Sequence, residues 1–208
     1  LSVPAQRSFL MVAVAMTALI LQRPAVSSRT LALALLVVLM VDPGAPLRVV
    51  FDGGANDALR VTAQLDPSGE HLMAAVMVDD PGEAAARRVF VDTSRYEAVL
   101  GEFFADTPAA PVAAQMSMLQ GQAFGLPVLV TDSVSWDGEA EEIDSPGAQT
   151  FPVTVVERLP ALPLVETDGQ LSDLRPVVAF DTSTIPAATV LVLARADTPP
   201  AMLADLVE

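Results

Sequence analysis

The chain has 208 residues, enough for one domain or two small ones, with 26 acidic and 11 basic side chains and a formal net charge of −15. The absence of cysteine excludes disulfides, thiolate metal sites and a cysteine nucleophile. A positive mean hydropathy of +0.48 is unusual in so acidic a chain, and it indicates two dissimilar parts.

The two parts meet at Pro43. Residues 1–43 contain three arginines and one aspartate, whereas the residues after Pro43 contain 8 basic and 25 acidic side chains and all 11 glycines. We therefore predict two domains: an apolar, membrane-spanning helical hairpin over residues 1–43 and an acidic α+β domain over residues 44–208.

Two apolar runs, Phe9 to Leu21 and Thr30 to Val41, form the predicted hairpin. Each would give a helix of about 20 Å against a hydrocarbon layer of about 30 Å, so flanking residues must complete a span. Arg23 and Arg29 in the short connection favour its cytoplasmic location, which would make residues 44–208 extracytoplasmic. The alternative is a pair of buried helices in the core of a soluble protein.

The first predicted strand is Leu47 to Phe51. The segment that follows it is interpreted as a β-hairpin. Leu59 to Leu65 alternates apolar and polar residues, and Leu72 to Val78 is a second apolar run. The turn residues Asp66 to Gly69 between them favour antiparallel pairing of the two runs.

A helix is predicted from Ser94 to Phe104, with Thr93 or Ser94 as its N-cap and Glu97 at the reciprocal capping position. Alternation of strands with isolated helices favours an α+β fold over a repeating parallel unit. The other predicted strands are 88–91, 127–130, 152–156, 177–180 and 189–193, and the other predicted helices are 113–120 and 199–208.

No motif for nucleotide hydrolysis or nucleic-acid binding is present. Neither a Walker-type loop nor the glycine-rich dinucleotide fingerprint occurs, and the chain has no lysine. A net charge of −17 on the residues after Pro43 would repel nucleic acid, which is bound through clustered cations, and it also disfavours docking on an anionic lipid surface.

The single histidine, His71, follows Glu70 after a predicted turn. A hydroxyl–imidazole–carboxylate triad through His71 is one hypothesis, but no nucleophile-elbow motif accompanies it, and an exposed turn histidine is the favoured interpretation. The adjacent Asp79 and Asp80 precede Pro81 and are interpreted as turn residues rather than as a catalytic pair.

An acidic loop is predicted from Trp136 to Gly147. Its carboxylates are a hypothetical calcium site, but their spacing departs from the calcium-loop pattern, so a solvated loop is favoured. Trp136 is interpreted as a half-buried loop residue or an interfacial anchor. The loop carboxylates are Asp137, Glu139, Glu141, Glu142 and Asp144.

We therefore predict no catalytic, cofactor-binding or metal-binding residue, no cofactor and no enzymatic activity.

Residues 2–43 resemble a transmembrane segment of the ComEC-type DNA-uptake channels. The resemblance is carried by SVPAQR at residues 2–7, an apolar helix, a basic connection and a Leu/Ala-rich helix that ends at Asp42-Pro43. It implies a membrane protein that takes part in DNA import.

Residues 89–208 resemble the extracytoplasmic domain of FtsX-like permease subunits of ABC transporters. The segments that carry this resemblance are VFVDTSRYEAV, GLPVLVTDSV, FPVTVVERLPALP, VVAFD and VLVLARADTPPAMLADL. It implies a non-catalytic domain outside the membrane that moves with a separate ATPase subunit.

The leading hypothesis is a membrane-anchored, non-catalytic extracytoplasmic domain of an ABC-transporter permease, with an ATPase subunit and the lipid membrane as its partners. One alternative is a fragment of a ComEC-type DNA-uptake channel. Another is a soluble acidic α+β interaction domain. None of these hypotheses gives the acidic domain a nucleic-acid ligand.

Overall fold

A computed structural model describes residues 45–78, 87–120, 125–134, 142–144, 150–165, 167–176 and 188–207. The predicted hairpin over residues 1–43 and the predicted strand 177–180 lie outside these residues. The strands are β1 (Leu47–Val50), β2 (Leu72–Val78), β3 (Arg87–Val91), β4 (Leu126–Thr131), β5 (Glu142–Asp144), β6 (Thr150–Leu159), β7 (Gly169–Asp173) and β8 (Ala188–Ala194). The helices are α1 (Ala55–Leu65), α2 (Glu102–Phe104), α3 (Val112–Leu119) and α4 (Pro200–Val207), and a π-helical turn, Glu97–Gly101, leads into α2.

The eight described strands form one mixed sheet with the order β1-β8-β2-β3-β7-β4-β6-β5. β3 pairs in parallel with β7, and β4 pairs in parallel with β6, whereas the other neighbours are antiparallel. Helices and a mixed sheet within one unit confirm the α+β class.

Both faces of the sheet are buried at its central strands β2, β4 and β7. Along β2, Ala74 and Val76 point into one core, whereas Met73 and Ala75 point into the other, because successive side chains of a strand alternate between faces. Helices α1 and α4 contribute to the first core, and the π-helical turn and α3 contribute to the second. Burial on both faces explains why β2 is apolar throughout.

The predicted strand from Leu59 to Leu65 is wrong, because these residues form the second half of α1. The helix starts at Ala55 and buries Ala55, Ala58 and Thr62, a spacing of three and four residues that places them on one helical face. The alternation of apolar and polar residues that suggested a strand falls within this longer helix. β2 consequently pairs with β3 and β8 rather than with a hairpin partner.

The N-capping prediction for the helix after β3 is also wrong. The Ser94 hydroxyl donates to Asp92 and the Thr93 hydroxyl donates to Asp173, and the residue before the π-helical turn, Tyr96, provides no side-chain cap. The predicted strands at β1, β2, β3, β4, β6 and β8 and the predicted helices at α3 and α4 are confirmed.

Two strands were not predicted. β7 has the sequence GQLSD, in which alternating polar residues are nonetheless buried because the strand lies between β3 and β4. β5 lies inside the predicted acidic loop and pairs with Thr150–Pro152 of β6.

Candidate functional site

Charged side chains converge at one edge of the sheet. The pairs Leu47↔Ala194, Leu72↔Ala194 and Val91↔Asp173 bring the first residues of β1 and β2 to the same edge as the last residues of β3, β7 and β8. The turns that begin or end there carry the charges, and we call this region the charged edge. Its members are Asp66, His71, Asp92, Thr93, Ser94, Arg95, Asp173, Arg175, Arg195 and Asp197.

Asp66 organises the turn between α1 and β2. Its Oδ2 atom accepts hydrogen bonds from the backbone N–H groups of His71 (2.7 Å) and Leu72 (2.9 Å), and its Oδ1 atom accepts from the Ser68 hydroxyl at 2.7 Å. Burial by itself would raise the pKa of Asp66, but these hydrogen bonds stabilise the carboxylate and lower its pKa to about 2. The charged form of Asp66 therefore fixes this turn at neutral pH.

Arg95 joins this turn to the end of β3. Its Nη1 atom lies 3.0 Å from the carbonyl oxygen of Asp66 and 3.1 Å from that of Leu72, and it is 3.4 Å from the Asp66 carboxylate. Its Nε atom lies 3.5 Å from the carboxylate of Asp92. Because α1 has no basic residue in its last turn, Arg95 supplies the cation that the negative end of the helix dipole favours.

Asp92 and Asp173 connect the carboxyl ends of β3 and β7. Asp92 accepts from the Ser94 hydroxyl at 2.6 Å and forms an ion pair with Arg175 at 3.1 Å, and Arg175 also donates to the Ser94 hydroxyl. Asp173 accepts from the Thr93 hydroxyl at 3.1 Å. Burial raises the pKa of Asp173, an effect that the bonds from Thr93 and the nearby Arg175 oppose without cancelling it.

His71 does not form a catalytic triad in the described part of the chain. Its Nδ1 atom is 3.8 Å from the carboxylate of Asp197, which is itself bound in a bidentate manner by Arg195. The hydroxyl of Thr198 donates to the backbone oxygen of His71 rather than to its imidazole. The hydrogen bond from Arg195 lowers the pKa of Asp197. No described hydroxyl is bonded to the imidazole, so this cluster lacks a nucleophile.

The other predicted candidates are not brought together. Within the described residues, no group of three or more carboxylate or imidazole side chains is placed to hold a metal ion. Glu142 and Asp144 lie in β5. The remaining candidates, Asp79, Asp80, Trp136, Asp137, Glu139 and Glu141, and the hairpin arginines Arg23 and Arg29 lie outside the described residues.

Most of the contacts at the charged edge were not predicted from the sequence. The turn signals at Asp66-Pro67-Ser68-Gly69 and Asp92-Thr93-Ser94 were visible, and aspartate at such positions commonly bonds the backbone of its own turn. The contacts between turns join residues up to 127 positions apart, as between Thr198 and the backbone oxygen of His71, and no local pattern predicts them.

The contacts at the charged edge are therefore structural. Its buried carboxylates accept from backbone, hydroxyl and guanidinium donors, and these bonds hold together turns that precede β2 and follow β3 and β7. Such a network gives the edge a fixed shape, which is what a recognition surface requires.

Comparison with known protein families gives a match at the start of the chain. Residues 1–52, a quarter of the chain, match the family described as Competence protein, and the matched segment passes Pro43 and includes β1. Neither a curated protein nor a solved structure shows significant similarity to the chain. Among the described residues, no helix has the length and hydropathy needed to cross a membrane.

Proposed function

We propose that this chain is a membrane-anchored protein related to DNA uptake, in which residues 1–43 insert into the cell membrane and residues 44–208 form a non-catalytic extracytoplasmic domain. The observation that carries the proposal is the match of residues 1–52 to the Competence protein family. The two apolar runs and the arginines between them support this location.

In this proposal the acidic domain binds a protein or the membrane rather than DNA. Its large negative charge opposes contact with phosphates, since affinity for nucleic acid comes largely from released counterions. The charged side chains at the charged edge are engaged in bonds between turns, and His71 has no hydroxyl partner in the described part of the chain, which supports a non-catalytic role.

A second candidate function is that of an ABC-transporter permease subunit, in which the domain couples an external contact to a separate ATPase. It rests on the sequence resemblance of residues 89–208 to the FtsX-like domain, and the segments that carry the resemblance contain strands and a helix of the described fold. GLPVLVTDSV contains β4, FPVTVVERLPALP contains most of β6, and the C-terminal segment contains most of β8 and α4.

Membrane attachment is tested first with the full-length chain. After cell breakage and an alkaline carbonate wash, the chain should remain in the membrane pellet, and protease added to intact spheroplasts should digest residues 44–208. Recovery of the chain as a monodisperse species without detergent would contradict both candidate functions.

The two candidates are then separated in cells of the source organism that lack the gene. Loss of uptake of fluorescently labelled double-stranded DNA, restored by the full-length chain, is the result expected for the first candidate. Unchanged DNA uptake together with co-purification of an ATP-hydrolysing subunit would favour the second. A strain that expresses the chain with Arg60→Gln, a change in an exposed ion pair, serves as the matched control.

A further inference from the structure

Two aspartates in the described part of the chain are followed directly by glycine. Asp52-Gly53 joins β1 to α1, and Asp168-Gly169 leads into β7. In such a pair the glycine nitrogen is able to attack the side-chain carboxyl carbon of the aspartate, because glycine has no Cβ atom in the way and tolerates the backbone rotation that ring closure needs. Both aspartates are exposed. The environments of the two glycines therefore decide which pair reacts.

The backbone of Gly169 is fixed by the fold. Its N–H donates to the buried Thr131 hydroxyl at 3.0 Å, and as the first residue of β7 it pairs with Arg87 of β3. A Cβ atom on Gly169 would lie 2.4 Å from the backbone oxygen of Arg87 and 2.8 Å from a Val165 methyl carbon. Ring closure at Asp168 would have to break the hydrogen bond and turn a tightly packed strand residue, so the folded chain opposes it.

The backbone of Gly53 lacks these restraints. Asp52 and Gly53 are both exposed in a bend, and among the described residues the Gly53 N–H has no hydrogen-bond acceptor. Asp52, Gly53 and Gly54 line an open cavity of about 390 Å³, and nothing lies within 4 Å of a Cβ atom placed on Gly54. The atoms nearest to a Cβ atom on Gly53 belong to the half-buried Phe51 ring, a side chain rather than backbone. The bend therefore gives the Asp52 carboxyl group the space to reach the Gly53 nitrogen.

We propose that Asp52 is a site of spontaneous isomerisation to isoaspartate, whereas Asp168 is protected. The Gly53 nitrogen bonds to the side-chain carboxyl carbon of Asp52, and the amide proton, a proton from solvent and one carboxyl oxygen leave as water. The product is a succinimide ring. Water then opens the ring and a proton returns to solvent. Addition of water at the former side-chain carbonyl restores aspartate, whereas addition at the main-chain carbonyl gives isoaspartate.

Isoaspartate in place of Asp52 would add a methylene group to the backbone between β1 and α1. This connection is fixed at both ends, since the Phe51 N–H donates to the backbone oxygen of Val190 at 2.9 Å and the Ala58 N–H donates to that of Gly54 at 3.0 Å. The extra length should loosen the end of β1 and the first turn of α1. Amide hydrogens in both segments are expected to exchange faster in the modified chain.

The test follows isoaspartate in the full-length chain, kept at neutral pH both in the native state and in denaturant. Because the chain has no lysine, trypsin cleaves it only after arginines that do not precede proline, and each Asp-Gly pair falls on its own peptide: 49–60, 96–158 and 159–195. The middle peptide holds Asp137-Gly138, which lies outside the described residues. Isoaspartate in each peptide is measured by enzymatic carboxyl methylation and located by electron-transfer fragmentation.

The rate in denaturant is the reference for each pair, because it contains the effect of the local sequence without that of the fold. Native Asp52 is expected to isomerise within a few-fold of its reference, and native Asp168 at least an order of magnitude more slowly than its own. Equal protection of the two pairs, or stronger protection of Asp52, would overturn the proposal. This comparison uses the unaltered sequence, so it does not depend on any variant folding.

Asp52→Glu locates the reaction within peptide 49–60. Glutamate keeps the charge, but its longer side chain would have to close a larger ring, so isoaspartate should disappear from this peptide. Isoaspartate that persisted there would belong to Asn56 or Asp57 and would overturn the assignment to Asp52.

Thr131→Val tests the protection at Asp168. Valine keeps the size of the buried threonine and removes the acceptor for the Gly169 N–H. Isomerisation at Asp168 is expected to rise several-fold, whereas the rate at Asp52 should stay as in the unaltered chain. An unchanged rate at Asp168, in a variant that retains the circular dichroism of the unaltered chain, would overturn the proposed role of this hydrogen bond.

Discussion

The charged edge and the opposite edge of the sheet are held together by different forces. At the charged edge, buried carboxylates and arginines join turns from distant parts of the chain. At the opposite edge, where β1 and β4 end and β7 begins, no buried carboxylate is joined to an arginine among the described residues. The Thr131 hydroxyl accepts from the backbone N–H of Gly169 at 3.0 Å, the Ser133 hydroxyl donates to the backbone oxygen of Thr167, and Arg158 donates to the backbone oxygen of Val134 at 2.6 Å. The stability of the charged edge should therefore depend on ion pairing and on pH, whereas the stability of the opposite edge should depend on steric packing.

The comparison also shows which positions in an acidic domain can hold a carboxylate. A buried carboxylate is costly unless donors surround it, and the charged edge supplies backbone, hydroxyl and guanidinium donors. At the opposite edge, Asp132 and Asp168 remain in water, where they need no partner. Four substitutions test this contrast.

The largest effect is expected at the opposite edge from Gly169→Ala. A Cβ atom on Gly169 would lie 2.4 Å from the backbone oxygen of Arg87 and 2.8 Å from a Val165 methyl carbon, so β3 and β7 would have to separate. We expect a loss of about 3 kcal/mol in the free energy of unfolding. Hydrogen exchange of β3 and β7 in the full-length chain measures it.

Gly54→Ala is the matched control, because nothing lies within 4 Å of the added Cβ atom. Its effect should be about 1 kcal/mol or less, because alanine is a poorer N-cap residue than glycine. Equal destabilisation by the two substitutions would contradict the close packing at Gly169.

At the charged edge, Arg95→Met should cost about 3 kcal/mol, since it leaves Asp66 and Asp92 buried without their shared cation. Urea unfolding of the full-length chain measures the change. Arg60→Met removes a cation from an ion pair with Asp57 in which both side chains are more than half exposed, and it should cost less than about 0.5 kcal/mol. Similar costs for the two variants would show that the charged edge gains nothing from burial.

The third substitution, Asp66→Asn, should cost about 2 kcal/mol at pH 7, because a carboxyl whose pKa falls from 3.8 to about 2 on folding stabilises the fold when charged. This stabilisation is present above the unfolded pKa and is lost as the pH falls from about 4 to about 2. Unfolding measured across that range should show the wild type converging on the variant. A constant difference at every pH would count against the assignment.

The smallest effect is expected from Asp173→Asn, and its sign is different. Because folding raises the pKa of Asp173, its contribution to stability is present at low pH and is lost as the pH rises through the folded pKa. Asparagine retains an oxygen acceptor for Thr93, so the variant should stay within about 1 kcal/mol of wild type at pH 7. Parallel pH profiles for Asp66→Asn and Asp173→Asn would contradict the opposite roles of the two carboxyl groups.

Much of the secondary structure was predictable because it is local. The apolar runs at β2, β4 and β8 and the helix-forming C-terminal segment follow directly from residue type and spacing. α1 was missed because seven of its residues, 59–65, alternate apolar and polar side chains as a strand does. β7 was missed because its glycine and polar residues become strand residues only when β3 and β4 flank them.

The sequence by itself determined the boundary in charge and hydropathy at Pro43, the α+β class and the match of residues 1–52 to the Competence protein family, since these properties depend on composition and local pattern. Only the tertiary structure decided that Asp66, Asp92, Arg95, Asp173 and Arg175 meet at one edge of the sheet. Strand order and register set those contacts, and pairing between segments separated by many residues leaves no local signal. The same register places the start of β1 at that edge.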